Sequence, residues 1–265
     1  MNGPIGIFDS GIGGLTVASA LKNQLPNESL LYFGDTAHMP YGDKSEDAIR
    51  YYSIRIAQFL LKNQAKAIVI ACNSASAAAA RVVEDFVDGK VPVINVIDPL
   101  IAYLGEHHGS DRIGVIGTKA TIGSEVYKNR IEALLNDCKV QSLATPLLAP
   151  MIEEGFFNNK ISQTIVESYL NNRKLKGIQT LVLACTHYPL IRTEIERFYA
   201  GKVHAIDSAQ PVAMYTKQKL ESLNLLTQNT KARYQFYVSD YTQSFEKSAK
   251  LFFGNKVVLQ EANFW

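Results

Sequence analysis

The chain has 265 residues, long for one compact core and sufficient for two, since single cores stop growing at about 250–300 residues. Its net charge of +2, from 27 basic against 25 acidic residues, argues against a nucleic-acid-binding or anionic-membrane surface. The longest apolar run, AIVIAC, falls far short of the roughly 20 residues that span a bilayer.

The opening, MNGPIGIFDSG, lacks a basic stretch followed by an apolar one, so no export signal is expected. Three cysteines, an odd count, fit free thiols in a reducing cytoplasm better than a disulfide framework.

Short β-branched runs alternate with longer helical stretches. Residues 4–11, PIGIFDSG, read as a strand ending in a glycine-rich turn, and GLTVASALKNQL as the helix that follows. SLLYFGD (29–35) is a second strand. Residues 45–63 place Ala48, Ile49, Tyr52, Ile56, Phe59 and Leu60 at helical spacing, with Ser45 as N-cap. KAIVIAC (66–72) is a third strand, SASAAAARVVEDFV a helix and VPVINVID (91–98) a fourth strand.

The pattern then restarts. RIGVIGTKATIGSEVY (112–127) resembles the opening strand, turn and helix. KGIQTLVLACTHYP repeats the third-strand segment, and KVHAIDSAQP (202–211) echoes the fourth. The offset is 108 residues from Gly6 to Gly114 and 113 from Cys72 to Cys185, near enough to one register for a duplicated unit. The expected fold is therefore α/β: two similar domains, each a parallel sheet flanked by helices, related by pseudo-twofold symmetry with the active site in the cleft between them. The division expected is 1–97 plus 208–265 for the first domain and 98–207 for the second. A final strand at 232–239 and a helix with Phe245, Ala249 and Phe252 on one face, closed by Gly254, are expected to pack on the first domain.

Ligands of open parallel sheets bind beyond the carboxyl ends of the strands. Cys72 and Cys185 both fall at such ends. Two thiols facing one carbon suit inversion of a stereocentre: one removes a proton from one face and the other delivers a proton to the opposite face. A thiol of pKa about 8.5 is mostly protonated at neutral pH and needs help. His187 lies two residues after Cys185. Asp9 ends the first strand, and Glu153 is a further carboxylate, with Glu154 an equal candidate beside it. The turn DSGIGG (9–14), opening a helix, could hold a substrate carboxylate on its free N–H groups. NSAS (73–76), THYP (186–189) and the threonines of GTKAT (117–121) offer further corners for a small substrate with more than one carboxylate.

Other readings compete. A cysteine at the end of a buried strand can be a small hydrophobe, His187 a hydrogen-bonded core residue, and Asp9 a helix cap. Cys138 and the histidines 38, 107, 108 and 204 read as structural or surface residues, and Tyr41 with Gly42 as a turn. GIGG fails the dinucleotide fingerprint because Thr16 stands where a third glycine is needed. A zinc site from Cys72, Cys185, His187 and Asp9 lacks an anchoring C-x-x-C or H-x-x-x-H pair. A two-lobed binding protein with inert thiols stays open.

FDSGIGGLTV, YFGDTAHMPYG, ACNSAS and ACTHYP, in this order, resemble the glutamate racemases of the aspartate/glutamate racemase family. The resemblance runs from about residue 5 to beyond residue 210. It implies a two-thiol enzyme that uses no cofactor and no metal, acts on glutamate and supplies D-glutamate for peptidoglycan in the bacterial cytoplasm, often as a homodimer. By that resemblance Cys72 deprotonates D-glutamate and Cys185 L-glutamate, with Asp9, His187 and Glu153 assisting. Asp9 also counts with Ser10, Tyr41, Gly42, Asn73, Ser74, Thr118, Thr186 and His187 among the substrate-holding positions. No nucleic-acid or membrane partner is implied.

Overall fold

The computed structural model describes residues 3–135, 138–229, 231–255, 257–262 and 264–265. Its elements run β1 (Ile5–Asp9), α1 (Leu15–Gln24), β2 (Leu30–Gly34), α2 (Glu46–Lys62), β3 (Ala67–Ile70), α3 (Asn73–Val87), β4 (Val93–Asn95) and α4 (Ile97–His107). They continue with β5 (Ile113–Gly117), α5 (Lys119–Gly123), α6 (Val126–Leu134), β6 (Gln141–Ala144), α7 (Leu148–Glu153), α8 (Lys160–Leu170), β7 (Thr180–Ala184), α9 (Arg192–Phe198) and β8 (His204–Ile206). The last are α10 (Ala209–Ser222), β9 (Tyr234–Val238), α11 (Gln243–Phe253) and β10 (Leu259–Glu261).

All strand pairs are parallel, and they form two sheets. One is six-stranded, in the order β10-β9-β2-β1-β3-β4; the other is four-stranded, in the order β6-β5-β7-β8. The arrangement β2-β1-β3-β4 thus recurs as β6-β5-β7-β8, the topology a duplication of one unit produces. In each repeat the order reverses beside the first strand, which opens a crevice at the carboxyl ends of β1 and β3, and of β5 and β7.

The central strands of the first sheet, β1, β2 and β3, are buried on both faces, as helix-covered parallel sheets are. Ile5, Ile7 and Val69 face Leu15, Leu21, Val212 and Leu220, while Phe8, Ile68 and Ile70 face Ile56, Leu60 and Val83. Ser45 caps α2 by accepting the N–H of Ala48. Gly254 ends α11 at φ 88°, where a side chain would be strained. β9 pairs with β2, so the C-terminal elements do pack on the first sheet. Phe245 of α11 sits so close to Gly34 that a Cβ there would meet its ring at 2.6 Å.

Two local expectations are corrected. The strand expected over 91–98 stops at Asn95, because Asn95 Oδ1 accepts the N–H groups of Ile97 and Asp98 and starts α4 at once. The single helix expected after Gly117 is two: Glu125 adopts φ 54°, and the Ser124 hydroxyl takes the N–H of Val126. α5 and α6 meet at that break.

A buried ion pair fixes the opposite end of the first sheet. Lys66 Nζ, before β3, lies 2.5 Å from Glu28 Oε2, with the side chains 0% and 3% exposed. Lys66 also donates to the Leu225 carbonyl at 2.7 Å, and Glu28 accepts the N–H of Thr227 at 2.7 Å. The segment after α10 is thereby tied to β2 and β3. Lys66→Ala leaves Glu28 buried and unpaired and is expected to destabilise the fold by about 3–5 kcal/mol in urea unfolding. The double variant Glu28→Leu/Lys66→Met is expected to recover most of that loss.

Candidate active site

The crevices of the two sheets meet in one cavity of about 190 Å³. That is below the roughly 300–1,000 Å³ of pockets for drug-sized ligands, so it suits a small metabolite. Cys72, directly after β3, and Cys185, directly after β7, both line it. Ser10, Tyr41, Gly42, Asn73, Ser74, Thr118, Glu153, Thr186 and His187 line it as well. The structure therefore gathers every residue singled out from the sequence except Asp9, which is 0% exposed and lies behind the wall rather than on it. Glu154, the alternative to Glu153, lines it too, and Met39, Pro40, Ala149 and Pro150, whose apolar character gave no signal in the sequence, complete the lining.

Each thiol has its own surroundings. Cys72 occupies the N-cap of α3 and reaches Ser10 Oγ at 3.9 Å. Burial, reinforced by the charge of Asp9, pushes the Cys72 thiol well above the usual cysteine range, against the opposing N–H of Ala75. Asp9 accepts the N–H of Gly14 at 2.7 Å and, more loosely, that of Gly11 and the hydroxyl of Thr186, each at 3.4 Å. Burial raises its carboxyl pKa, which His187 and the Gly14 N–H only partly offset.

Cys185 Sγ lies 3.5 Å from His187 Nδ1, and His187 Nε2 lies 2.5 Å from Glu153 Oε1. Burial alone would lower the histidine pKa. The Glu153 carboxylate and Cys185 outweigh it and hold His187 well above its usual range, as an imidazolium. Of the two adjacent glutamates, Glu153 carries the contact and Glu154 is exposed at the rim.

The turn 9–14 is partly occupied from within the protein. Three of its N–H groups already have acceptors: those of Gly11 and Gly14 go to Asp9, and that of Ile12 goes to Glu153 Oε1 at 3.1 Å. The glycines there serve close approach. A Cβ on Gly13 would meet Thr186 Oγ1 at 2.4 Å and His187 Nδ1 at 2.6 Å, and one on Gly11 would meet Glu153 Oε1 at 2.2 Å.

Sequence reasoning missed two supporting residues. Asp35 is fully buried after β2 and accepts the Tyr41 hydroxyl at 2.5 Å and the Ser239 hydroxyl at 2.8 Å, beside His38 Nδ1 at 2.8 Å. It aims Tyr41 at the cavity. Tyr32 donates to the Gly11 carbonyl at 2.8 Å from beneath the glycine turn. Asp35 stands inside the quoted YFGDTAHMPYG, where a buried acid before a turn was the available signal.

The His187 assignment has a sign that can be measured. An imidazole whose folded pKa exceeds its unfolded value stabilises the fold fully below about pH 6.5 and loses that contribution as pH rises through the folded value. Stability is therefore expected to fall as pH rises above about 6.5, and Glu153→Gln to lessen that slope, in urea titrations at each pH.

A profile of the Asp/Glu/Hydantoin racemase family matches residues 14–216. A glutamate racemase of Chlorobaculum parvum is 44% identical over 255 residues, covering 96% of this chain and 93% of its own. The crystal structure of a Francisella tularensis glutamate racemase in complex with D-glutamate superimposes with TM-score 0.92 and 36% identity, over 99% of this chain and 98% of its own. A Bacillus anthracis glutamate racemase gives TM-score 0.90 and 33% identity over the same shares. With paired thiols in one cavity and these likenesses along nearly its full length, the chain belongs to the Asp/Glu/hydantoin racemase family of isomerases.

Proposed function

We propose that this chain is a cofactor-independent glutamate racemase that interconverts L- and D-glutamate by two-base proton transfer at Cα. One observation carries the reading: Cys72 and Cys185 line the same small cavity from equivalent places in two repeated sheets. In the L-to-D direction the Cys185 thiolate takes the Cα proton, and the Cys72 thiol gives its proton to the opposite face of the planar carbanion. Cys72 is then the thiolate and Cys185 the thiol, which is the state the reverse reaction needs. The raised Cys72 thiol suits the acid of the first direction. The His187 imidazolium, paired with Glu153, is the counter-ion for a Cys185 thiolate. Asp9, with its own raised carboxyl, is the helper on the Cys72 side. Ser10, Tyr41, Gly42, Asn73, Ser74, Thr118 and Thr186 hold the substrate.

The D-glutamate supplies peptidoglycan synthesis, and through it cell-wall biogenesis and cell shape. The enzyme works in the cytoplasm as a homodimer, with 1–97 plus 208–265 as one domain and 98–207 as the other. Among the described residues no helix is long and apolar enough to cross a membrane.

The test is proton exchange. Either glutamate enantiomer incubated with the enzyme in deuterated water is expected to exchange its Cα hydrogen, by NMR, without added pyridoxal phosphate. Cys72→Ser and Cys185→Ser are each expected to lower racemisation by roughly 10²- to 10⁴-fold. Glutamate that binds without exchange would make the protein a binder, and exchange confined to another amino acid would change the substrate. Gly13→Ala, which drives a methyl into Thr186 and His187, is expected to lower kcat by about 10²-fold through misplacement of the Cys185 side.

A further inference from the structure

Asn73 opens α3 directly after Cys72 and lines the cavity, yet it is only 2% exposed. Its carboxamide is held from the other repeat. Tyr127 of α6, also 2% exposed, donates its hydroxyl to Asn73 Oδ1 at 2.6 Å. The other end of the amide, Nδ2, is buried and has no hydrogen-bond partner among the described residues. A buried N–H₂ without an acceptor is costly, and where one persists at a cavity wall a ligand is the natural acceptor. The neighbouring hydroxyls are already engaged with one another: Ser74 meets Thr118 at 2.9 Å and Thr121 at 3.3 Å.

Chemistry fixes which way the amide points. A phenol hydroxyl brings one hydrogen, and the carbonyl oxygen of Asn73 accepts it. With the amide turned over, the tyrosine hydrogen would have no acceptor and a carbonyl would face an anionic substrate. Burial also pushes the Tyr127 phenol far above its usual range, so it stays a donor at any working pH.

We propose that Tyr127 is a positioning residue that locks the Asn73 carboxamide with its N–H₂ edge toward the cavity, where it donates to a carboxylate oxygen of the substrate. This rests on the racemase reading above, in which Asn73 holds the substrate, and adds to it the residue that orients its amide. Tyr127 touches no reacting atom. It acts through Asn73 and couples α6 of the second repeat to the helix that begins beside Cys72.

The experiment is a double-mutant cycle on the full-length enzyme, read in both directions. Tyr127→Phe keeps the ring and removes only the hydroxyl. It is expected to raise KM for L- and D-glutamate by about tenfold or more, with kcat changed less than about threefold. Asn73→Ala is expected to raise KM by a similar factor, and the double variant no further than Asn73→Ala alone, because Tyr127 has no task without the amide. Wild-type KM in Tyr127→Phe, a loss confined to kcat, or effects that multiply in the double variant would each overturn the proposal. A second measurement does not need the variant to fold. In ¹³C,¹⁵N-labelled wild type, the Asn73 side-chain N–H₂ signals, assigned by through-bond correlation to the Asn73 backbone, are expected to shift on addition of D-glutamate. Their standing still overturns the proposal. Wild-type enzyme that exchanges no Cα hydrogen defeats the racemase reading instead, so the two failures are distinguishable.

Discussion

Glu153 Oε1 accepts the N–H of Ile12 from the first repeat and meets His187 Nε2 of the second, both within 3.1 Å. One oxygen thus joins the glycine turn after β1 to the histidine beside Cys185. A carboxylate shared this way, largely out of water, holds its partners more strongly than an exposed one would. The bareness of Gly11 and Gly13 follows from it, because the turn can reach Glu153, Thr186 and His187 only without side chains. The imidazolium state of His187 follows too. Much of the cavity's geometry descends from that contact.

The backbone is repeated, but the chemistry around it is not. Equivalent strands deliver the two thiols, yet Cys72 faces a hydroxyl and a buried acid while Cys185 faces a cation paired with an acid. A symmetric scaffold brings two groups to opposite sides of one point. Unequal neighbours then surround them with different charges and hydrogen-bond partners. Both features suit a reaction whose substrate and product are mirror images at one carbon and identical elsewhere.

The repeat and most of the cavity were legible because each is written locally. The twin apolar runs ending in Ala-Cys fix β3 and β7, Ser45 announces α2, and Gly254 closes α11. What stayed hidden depends on contacts between distant segments. Residues 96–98 look like strand until the Asn95 side chain is seen capping α4. β6 is a half-exposed edge strand without an apolar run, so periodicity could not find it. The turn 9–14 reads as an open anion site until Asp9 and Glu153 are seen taking three of its N–H groups. No spacing rule separates Glu153 from Glu154, or ties Asp35 to Ser239 across 204 residues.

The pairing of β9 with β2 bears on how the molecule is made. β2, LLYFG, is buried along its whole length, and its outer row of backbone groups is covered by residues 234–238. On a ribosome, the first repeat emerges long before that covering strand exists. Until it arrives, β2 is a sticky, unpaired edge of the kind that recruits other chains. The nascent protein must therefore wait, half-finished and in need of protection, for nearly its whole length to be translated.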